Sequence, residues 1–167
     1  FVSHELEVET LILETADASA ALWRYLLEVP LVARLKVEHR PTDDPIQWMI
    51  TDWRAATVKL WEHQYLRILD VPAVFAARGY FADGSVVFDV NDAQGFATGR
   101  FQLTVLNGLG RVTEADSDST VPTLILGVAE LSALFLGGVK TSTLVAAGRI
   151  VESGPGAAAS ADSLLRS

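Results

Sequence analysis

Hydrophobic and polar residues alternate along residues 4–13, which is the period of a half-buried β-strand. Over residues 16–28 the apolar side chains recur at three- and four-residue spacing, and this pattern predicts an amphipathic helix that ends near Pro30. Alternation returns over residues 34–40. The sequence Asp43-Asp44-Pro45 then predicts the start of a short helix, because an acidic cap followed by proline is typical of a first helical turn.

The rest of the chain predicts an antiparallel sheet with helices at one end. A long β-prone run at 57–69 precedes strands expected at 85–90, 98–106, 111–114 and 123–126. Asn107-Gly108 is a strong signal for a two-residue hairpin turn. Helices are expected at 72–78, 128–135, 141–147 and 157–166, with a linker at 151–156.

The change of pattern near Lys59 divides the chain into two parts, each of the α+β class. Residues 1–58 are few for an independent domain, because a chain of about 60 residues buries only about 60% of its unfolded surface. We therefore expect residues 1–58 to be the end of a domain that begins earlier in a longer protein. Residues 59–167 are expected to form most of a second domain.

Composition excludes several classes of protein. The chain has 167 residues, of which 50% are hydrophobic and 20% charged, so it is not a disordered chain. Its net charge of -8 argues against a nucleic-acid partner, which requires a basic surface. No apolar run approaches the roughly 20 residues of a membrane helix, and the chain opens without a signal-peptide pattern. We expect a cytoplasmic protein with neither a membrane nor a nucleic-acid partner.

The sequence offers few residues for metal or nucleophilic chemistry. Cysteine is absent, which excludes disulfides, thiolate zinc sites and cysteine nucleophiles. The histidines, at positions 4, 39 and 63, lack the spacing of metal ligands, so no metal is expected. His39 alternates with apolar residues and is better explained as a residue of the core or its rim. The Asp43-Asp44 pair is better explained as a helix cap than as a pair of catalytic carboxylates.

The segment richest in candidate binding residues is Trp61-Glu62-His63-Gln64-Tyr65, called here the 61–65 segment. On a strand, Trp61, His63 and Tyr65 would share one face, and Glu62 would lie on the other. Aromatic side chains beside a carboxylate suit a cationic amine, through cation–π contact and ion pairing. The alternative is a strand that packs against a neighbouring domain.

A series of short segments runs along nearly the whole chain: ALWRYL (21–26), DDPIQWMITD (43–52), YLRILDVPA (65–73), ARGY (77–80), GRF (99–101), LSALFLGG (131–138) and LVAAGR (144–149). In order and spacing they resemble the C-terminal half of the Eis-like (enhanced intracellular survival) N-acetyltransferases of the GNAT class. The resemblance implies that residues 1–58 end a second GNAT domain. It implies that residues 59–167 form a sterol-carrier-protein-like domain with an antiparallel sheet and helices.

The same resemblance implies an activity that this chain would share only in part. The family transfers acetyl groups from acetyl-CoA to primary amines, including aminoglycosides and lysine side chains, and assembles as hexamers. Its acetyl-CoA loop and its general-acid tyrosine lie in a preceding domain, and neither Arg78-Gly79 nor Arg149 has the glycine spacing of that loop. No catalytic or acetyl-CoA-binding residue is therefore expected here, and the 167 residues alone should be inactive.

The substrate-binding residues implied by the resemblance are Trp61, Glu62 and Tyr65. In Eis-like enzymes the strand that enters the last domain contributes aromatic and acidic residues near the amine. Trp61 and Glu62 match that segment, and Tyr65 stands where the family usually has a tryptophan. Glu62 is expected to bind the cationic amine and Trp61 to stack on it. The general-acid role passes to none of the tyrosines, and Ser167 is not assigned the family's terminal-carboxylate role.

Two other functions stay open. A sterol-carrier-like fold could be a lipid-binding module with an apolar tunnel lined by Phe75, Val86, Phe88, Phe101, Leu103 and Phe135. The alternative is that these side chains fill a dry core at normal packing density. The last domain could instead serve mainly to bury domain and subunit interfaces in a larger assembly.

Overall fold

The computed structural model describes residues 4–62 and 64–166. The chain divides into two compact units, with the boundary between residues 63 and 64. The first unit contains strands β1 (His4–Val8) and β2 (Val32–Val37), helices α1 (Ala16–Leu27) and α2 (Ile46–Met49), and a short 3-10 helix (Trp53–Ala55). Strands β1 and β2 pair in parallel. Helix α1 is the connection between them that a parallel pair requires.

The alternation predicted for β1 and β2 separates a charged face from an apolar face. Glu5 lies opposite Arg34 in the strand register. Glu7 lies opposite Lys36, whose Nζ is 2.5 Å from the Glu7 carboxylate. The apolar side chains of the other face are Leu6, Val8, Leu35 and Val37. The two predicted strands are confirmed, although both end earlier than the alternation does.

In the second unit the helices are α3 (Val71–Ala77), α4 (Val128–Phe135), α5 (Thr141–Ala146) and α6 (Ala157–Leu164). The strands are β3 (Gly84–Asn91), β4 (Gly99–Leu106), β5 (Leu109–Glu114), β6 (Thr123–Gly127) and β7 (Val151–Ser153). Across the described residues of both units, no helix is both long and apolar enough to cross a membrane.

The strands of the second unit form a sheet in the order β5-β4-β3-β6-β7. Neighbouring strands pair antiparallel except β3 and β6, which are parallel. The α+β class is confirmed, and the sheet departs from the expected antiparallel arrangement at this one pairing. The cause is the connection at 115–122, which carries the chain from β5 at one edge to the opposite side of β3.

Strand β7 lies in the segment expected to be a linker at 151–156. It pairs antiparallel with β6 through Val151, Glu152 and Ser153. Three residues are too short to show a period of two, so the hydrophobic pattern could not reveal this edge strand. The prediction of a linker is therefore wrong for residues 151–153.

The β4–β5 hairpin confirms the turn predicted at Asn107-Gly108. Both residues have positive φ, 52° and 76°, as a type I′ turn requires. The turn places Leu106 opposite Leu109 and so fixes the register of both strands.

The core of the second unit lies between the inner face of the sheet and the helices. Val86, Phe88 and Val90 alternate along β3 and are at most 2% exposed. Phe75 of α3 is fully buried, with its ring centroid 5.3 Å from that of Phe88 and 5.2 Å from that of Phe135. These contacts join α3, the sheet and the end of α4.

The β-prone run at 57–69 is the expectation that fails most clearly, since none of its described residues forms a strand. Strand propensity measures how well a side chain fits a half-buried pleated surface, and the larger side chains here lie mostly in solvent. Ile68, which is 1% exposed, donates its backbone N–H to the Ser132 hydroxyl instead of to a neighbouring strand. His63 lies outside the described residues.

We expect Gly110→Ala to destabilise the second unit. A Cβ atom at Gly110 would lie 2.5 Å from Cε2 of Tyr80 and 2.7 Å from the carbonyl oxygen of Phe75. The Tyr80 ring cannot move away easily, because its hydroxyl donates a hydrogen bond of 2.6 Å to that same oxygen. The free energy of unfolding in urea should fall by about 1–3 kcal/mol, as in other overpacked cores.

The matched control is Gly79→Ala, because no atom lies within 4 Å of the added Cβ. Its effect should stay within about 0.5 kcal/mol. Equal losses of stability in the two variants would show that the close approach at Gly110 is not what requires glycine.

Candidate functional site

Trp61, Glu62 and Tyr65 are neighbours along the chain, and none of them lies in a helix or strand. The expectation that they occupy a strand is therefore wrong, for the reason given above. Trp61 is 75% exposed and Tyr65 is 84% exposed, and Glu62 is also exposed. Trp61 and Glu62 belong to the first unit and Tyr65 to the second. Their role in binding an amine stays a prediction.

Directly after this segment, the chain is attached to the second unit at two points. The Arg67 guanidinium donates from Nη2 to Oδ1 of Asp92 over 2.5 Å. The backbone N–H of Ile68 donates to Oγ of Ser132 over 3.1 Å, and Ser132 in turn donates to the carbonyl oxygen of Val128 over 2.6 Å. Sequence reasoning missed these contacts, because 25 residues separate Arg67 from Asp92 and no local pattern relates them.

Asp92 is a buried carboxylate with several donors around it. Its side chain is 1% exposed and accepts the backbone N–H groups of Gln94 at 3.0 Å and Ala97 at 3.1 Å. The Gln94 N–H, followed by the Ala97 N–H and the Arg67 guanidinium, outweighs desolvation and lowers the pKa of Asp92 below its ordinary value of 3.8. Asp92 is therefore a fixed negative charge at neutral pH.

Tyr80, one of the tyrosines considered above for the general-acid role, is buried in the core of the second unit. Its hydroxyl is bound to the Phe75 carbonyl, and burial raises the pKa of Tyr80 to about 12. His39 lies exposed just after β2, where its Nδ1 is 3.2 Å from the carbonyl oxygen of Glu9. This position agrees with a residue at the rim.

A short helix begins after the acidic pair, as predicted, but its N-cap residue is Pro45, and Asp44 contacts the first turn from the preceding position. Oδ1 of Asp44 accepts the backbone N–H of Ile46 at 2.9 Å, and Oδ2 accepts the guanidinium of Arg40 at 2.7 Å. Within the described residues, histidine and carboxylate side chains nowhere gather in a group of three or more that could hold a metal ion.

A surface cleft of about 480 Å³ lies beside the C-terminal end of α3. Its lining is mostly apolar and includes two arginines: Val74, Ala77, Arg78, Gly79, Phe81, Phe135, Leu136 and Arg166. Of the six side chains considered for a lipid tunnel, only Phe135 lines it. Phe75, Val86, Phe88 and Leu103 are at most 1% exposed, as a packed core requires.

The two arginines compared with the acetyl-CoA loop, Arg78 and Arg149, are bound to other groups of the protein. Arg78 donates to the carbonyl oxygens of Phe135, Leu165 and Arg166, at the C-terminal ends of α4 and α6. Arg149 is paired with Glu130, whose side chain is 10% exposed. Neither arginine therefore fits the role of a free phosphate ligand.

Two known protein families match different parts of the chain. Residues 2–68 match the acetyltransferase (GNAT) domain family, and residues 71–167 match the sterol carrier protein domain family. The chain belongs to the Eis-like GNAT acetyltransferases with a sterol carrier protein domain. The resemblance seen in the sequence is thereby confirmed.

Curated relatives of the Eis-like family extend well beyond this chain. An uncharacterised N-acetyltransferase of Streptomyces coelicolor is 43% identical over 143 residues, which are 85% of this chain and 34% of that protein. The N-acetyltransferase Eis of Mycobacterium tuberculosis is 36% identical over 141 residues, which are 81% of this chain and 33% of that protein. The chain thus spans about a third of the length of the relatives that it matches.

One solved structure supports the same family, and a more distant one shares the fold. The crystal structure of Eis1 from Mycobacterium abscessus matches with a TM-score of 0.80 and 32% identity, over 99% of this chain and 41% of that one. A GCN5-related N-acetyltransferase from Kribbella flavida matches in fold with a TM-score of 0.59 and 23% identity, over 90% of this chain and 38% of that one. Both units of the chain therefore have the folds of the Eis-like acetyltransferases.

We expect Asp92 to contribute to the acid sensitivity of the second unit. The pKa of Asp92 is lower in the folded protein than its ordinary value of 3.8. Its contribution to stability is therefore fully present when the pH is above that ordinary pKa, and is lost as the pH falls through the pKa of the folded state. Asp92→Asn should therefore be less stable near neutral pH and lose less further stability between about pH 5 and pH 1. Urea unfolding across that range measures both effects, and an acid slope as steep as that of the wild type would contradict the assignment.

Proposed function

We propose that this chain is the C-terminal part of an acetyl-CoA-dependent N-acetyltransferase of primary amines, of the aminoglycoside or lysine type. In this proposal residues 1–58 end a GNAT domain, and residues 59–167 form the sterol carrier domain. The observation that carries the proposal is the match of 99% of the chain to Eis1, with a TM-score of 0.80. By the same resemblance we propose a homo-oligomer, with a hexamer expected.

In this proposal the chain binds the amine and leaves the acetyl transfer to the rest of the protein. In the reaction the amine nitrogen would attack the thioester carbonyl, an N–C bond would form as the C–S bond breaks, and the proton lost by the nitrogen would balance the departing CoA thiolate as its thiol. Bound acetyl-CoA supplies the acetyl group. Arg78 and Arg149, the two arginines compared above with the acetyl-CoA loop, are held by carbonyl oxygens and by Glu130, which favours an acetyl-CoA site outside this chain.

The chemistry of acetylation constrains what Glu62 can do. A carboxylate beside the reacting nitrogen would favour its protonated form and so oppose the attack. Glu62 is therefore best suited to pair with a second ammonium group of a substrate that carries several amines. Aromatic rings such as those of Trp61 and Tyr65 contact cations through their faces.

We expect Glu62→Gln, in the full-length protein that contains this chain, to raise KM for a substrate with several amines. The increase should be about two- to five-fold, the range of an exposed ion pair, and kcat should change little. Trp61→Ala should have an effect of similar size, as expected for an exposed cation–π contact. For a substrate with a single amine, Glu62→Gln should leave KM unchanged. Steady-state kinetics with the two substrate types measures each value.

The matched control for Glu62→Gln is Glu114→Gln, which changes an exposed glutamate at the end of β5. It should leave KM unchanged for both kinds of substrate. An unchanged KM for the substrate with several amines in Glu62→Gln would remove Glu62 from the binding site.

We also expect the 167 residues alone neither to bind acetyl-CoA nor to acetylate an amine, because the groups that would hold the cofactor belong to a preceding domain. Calorimetric titration of the chain with acetyl-CoA tests this directly. Binding with a Kd in the micromolar range would contradict the proposed division of the enzyme.

A further inference from the structure

Large apolar side chains of the second unit lie in solvent where the β4–β5 hairpin meets the cleft beside α3. Phe81, Leu106, Leu109 and Leu136 are 85%, 64%, 75% and 52% exposed. Exposed apolar residues that are scattered singly are normal on a soluble protein, but a contiguous group marks an interaction surface. The contacts of the backbone between these residues show which of the two cases applies.

Backbone contacts bring the hairpin and Phe81 together at one end of the sheet. Leu106 and Leu109 lie opposite each other beside the hairpin turn. Leu109 also forms a β-bridge with Gly79. The backbone N–H of Tyr80 donates to a carbonyl oxygen of the turn over 3.2 Å. Phe81 is the next residue and is therefore beside the turn.

The exposed apolar surface continues from the hairpin into the cleft. Gly79 and Phe81 line the cleft, and so does Leu136. The turn and the cleft thus form one surface, called here the hairpin–cleft surface. It is defined by Phe81, Leu106, Leu109, Leu136 and the other residues that line the cleft.

The charges of the hairpin–cleft surface are opposite in sign to the charge of the whole chain. Among the described residues that line the cleft, the charged ones are Arg78 and Arg166. Asp83 and Arg111 are exposed at the border of the surface, and their charges cancel. The net charge of the chain, by contrast, is -8. A cationic apolar surface on an acidic protein is electrostatically complementary to another copy of that protein.

We propose that the hairpin–cleft surface binds a second copy of this protein, head to tail, against an acidic part of the neighbouring protomer. The inference rests on the proposed function for the homo-oligomer alone. Two facing copies of the surface would bring Arg78 and Arg166 of both protomers together, and this repulsion disfavours a two-fold contact. A contact between two different surfaces instead builds a ring when its rotation closes. Burial of the apolar side chains drives the association, and the arginines select the orientation.

The test follows the mass distribution of the full-length protein from nanomolar to micromolar concentrations, by mass photometry and sedimentation velocity. A double variant, Phe81→Ser with Leu109→Ser, should raise the concentration of half-dissociation about ten-fold or more, because it removes apolar area that the contact buries. The matched control is Phe96→Ser. Phe96 is 65% exposed and precedes β4, whereas the hairpin turn follows it, so Phe96 lies at the other end of that strand. This control should leave the mass distribution unchanged.

Substitution of Arg166 tests the part played by charge. Arg166→Gln should raise the concentration of half-dissociation by about two- to five-fold, the size expected of an exposed ion pair, and Arg166→Lys should change it less. Added salt should weaken the wild-type assembly more than that of Arg166→Gln. The control for net charge is Arg34→Gln, because the Arg34 side chain is 78% exposed on β2 in the first unit. It should assemble as the wild type does.

The outcomes separate the failure of this inference from the failure of the proposed function. A monomeric wild-type protein would reject the proposed oligomer, and this inference with it. An oligomer that the double variant leaves as stable as the wild type would reject only the hairpin–cleft surface. A lower unfolding temperature of the double variant at every concentration, with an unchanged mass distribution, would place this surface against another part of the same protomer and so overturn the inference. Equal effects of Arg166→Gln and Arg34→Gln would overturn the role of charge, on which the choice of a second copy depends.

Discussion

The side chain of Phe75 packs between the sheet and helix α4 and joins the two layers of the second unit. Its ring contacts Phe88 on one side and Phe135 on the other, and no part of it is exposed. Burial of one phenylalanine contributes about 1.5–3 kcal/mol, a large fraction of the stability of a small domain. The carbonyl oxygen of Phe75 also accepts the Tyr80 hydroxyl, and the absence of a side chain at Gly110 leaves room for that ring.

Around this core, arginines attach the irregular segments to buried acceptors. Arg67 reaches Asp92, Arg149 reaches Glu130, and Arg78 reaches the carbonyl oxygens at the ends of two helices. Arginine can form such attachments, because its five N–H groups donate to several acceptors and its charge complements a carboxylate or a helix C-terminus. Burial disfavours the charged form of the Arg78 guanidinium and so lowers its pKa. The carbonyl oxygens at the two helix ends offset part of this cost by accepting its N–H groups.

Sequence patterns predicted the turns and helices whose formation depends on neighbouring residues. The type I′ turn at Asn107-Gly108 and helix Val128–Phe135 follow from neighbouring residues, and both are present as predicted. The parallel pairing of β3 with β6 and the pair Arg67–Asp92 depend on residues far apart in the chain, which no period or cap can reveal. The run at 57–69 shows the same limit, because the β-branched and aromatic residues that the structure describes there have strand propensity but do not pair with a strand.

In the proposed function, amine binding uses the exposed side chains of Trp61, Glu62 and Tyr65 and requires no space inside the packed core of the sterol carrier domain. Function here would depend on surface residues placed on a stable scaffold and not on the interior of the fold. An exposed aromatic side chain contributes more to affinity when it is ordered before the ligand arrives, because ordering it on binding consumes part of the contact energy. The buried acceptors Asp92 and Ser132 hold Arg67 and Ile68, so the packed body of the second unit fixes the chain within three residues of the exposed Tyr65.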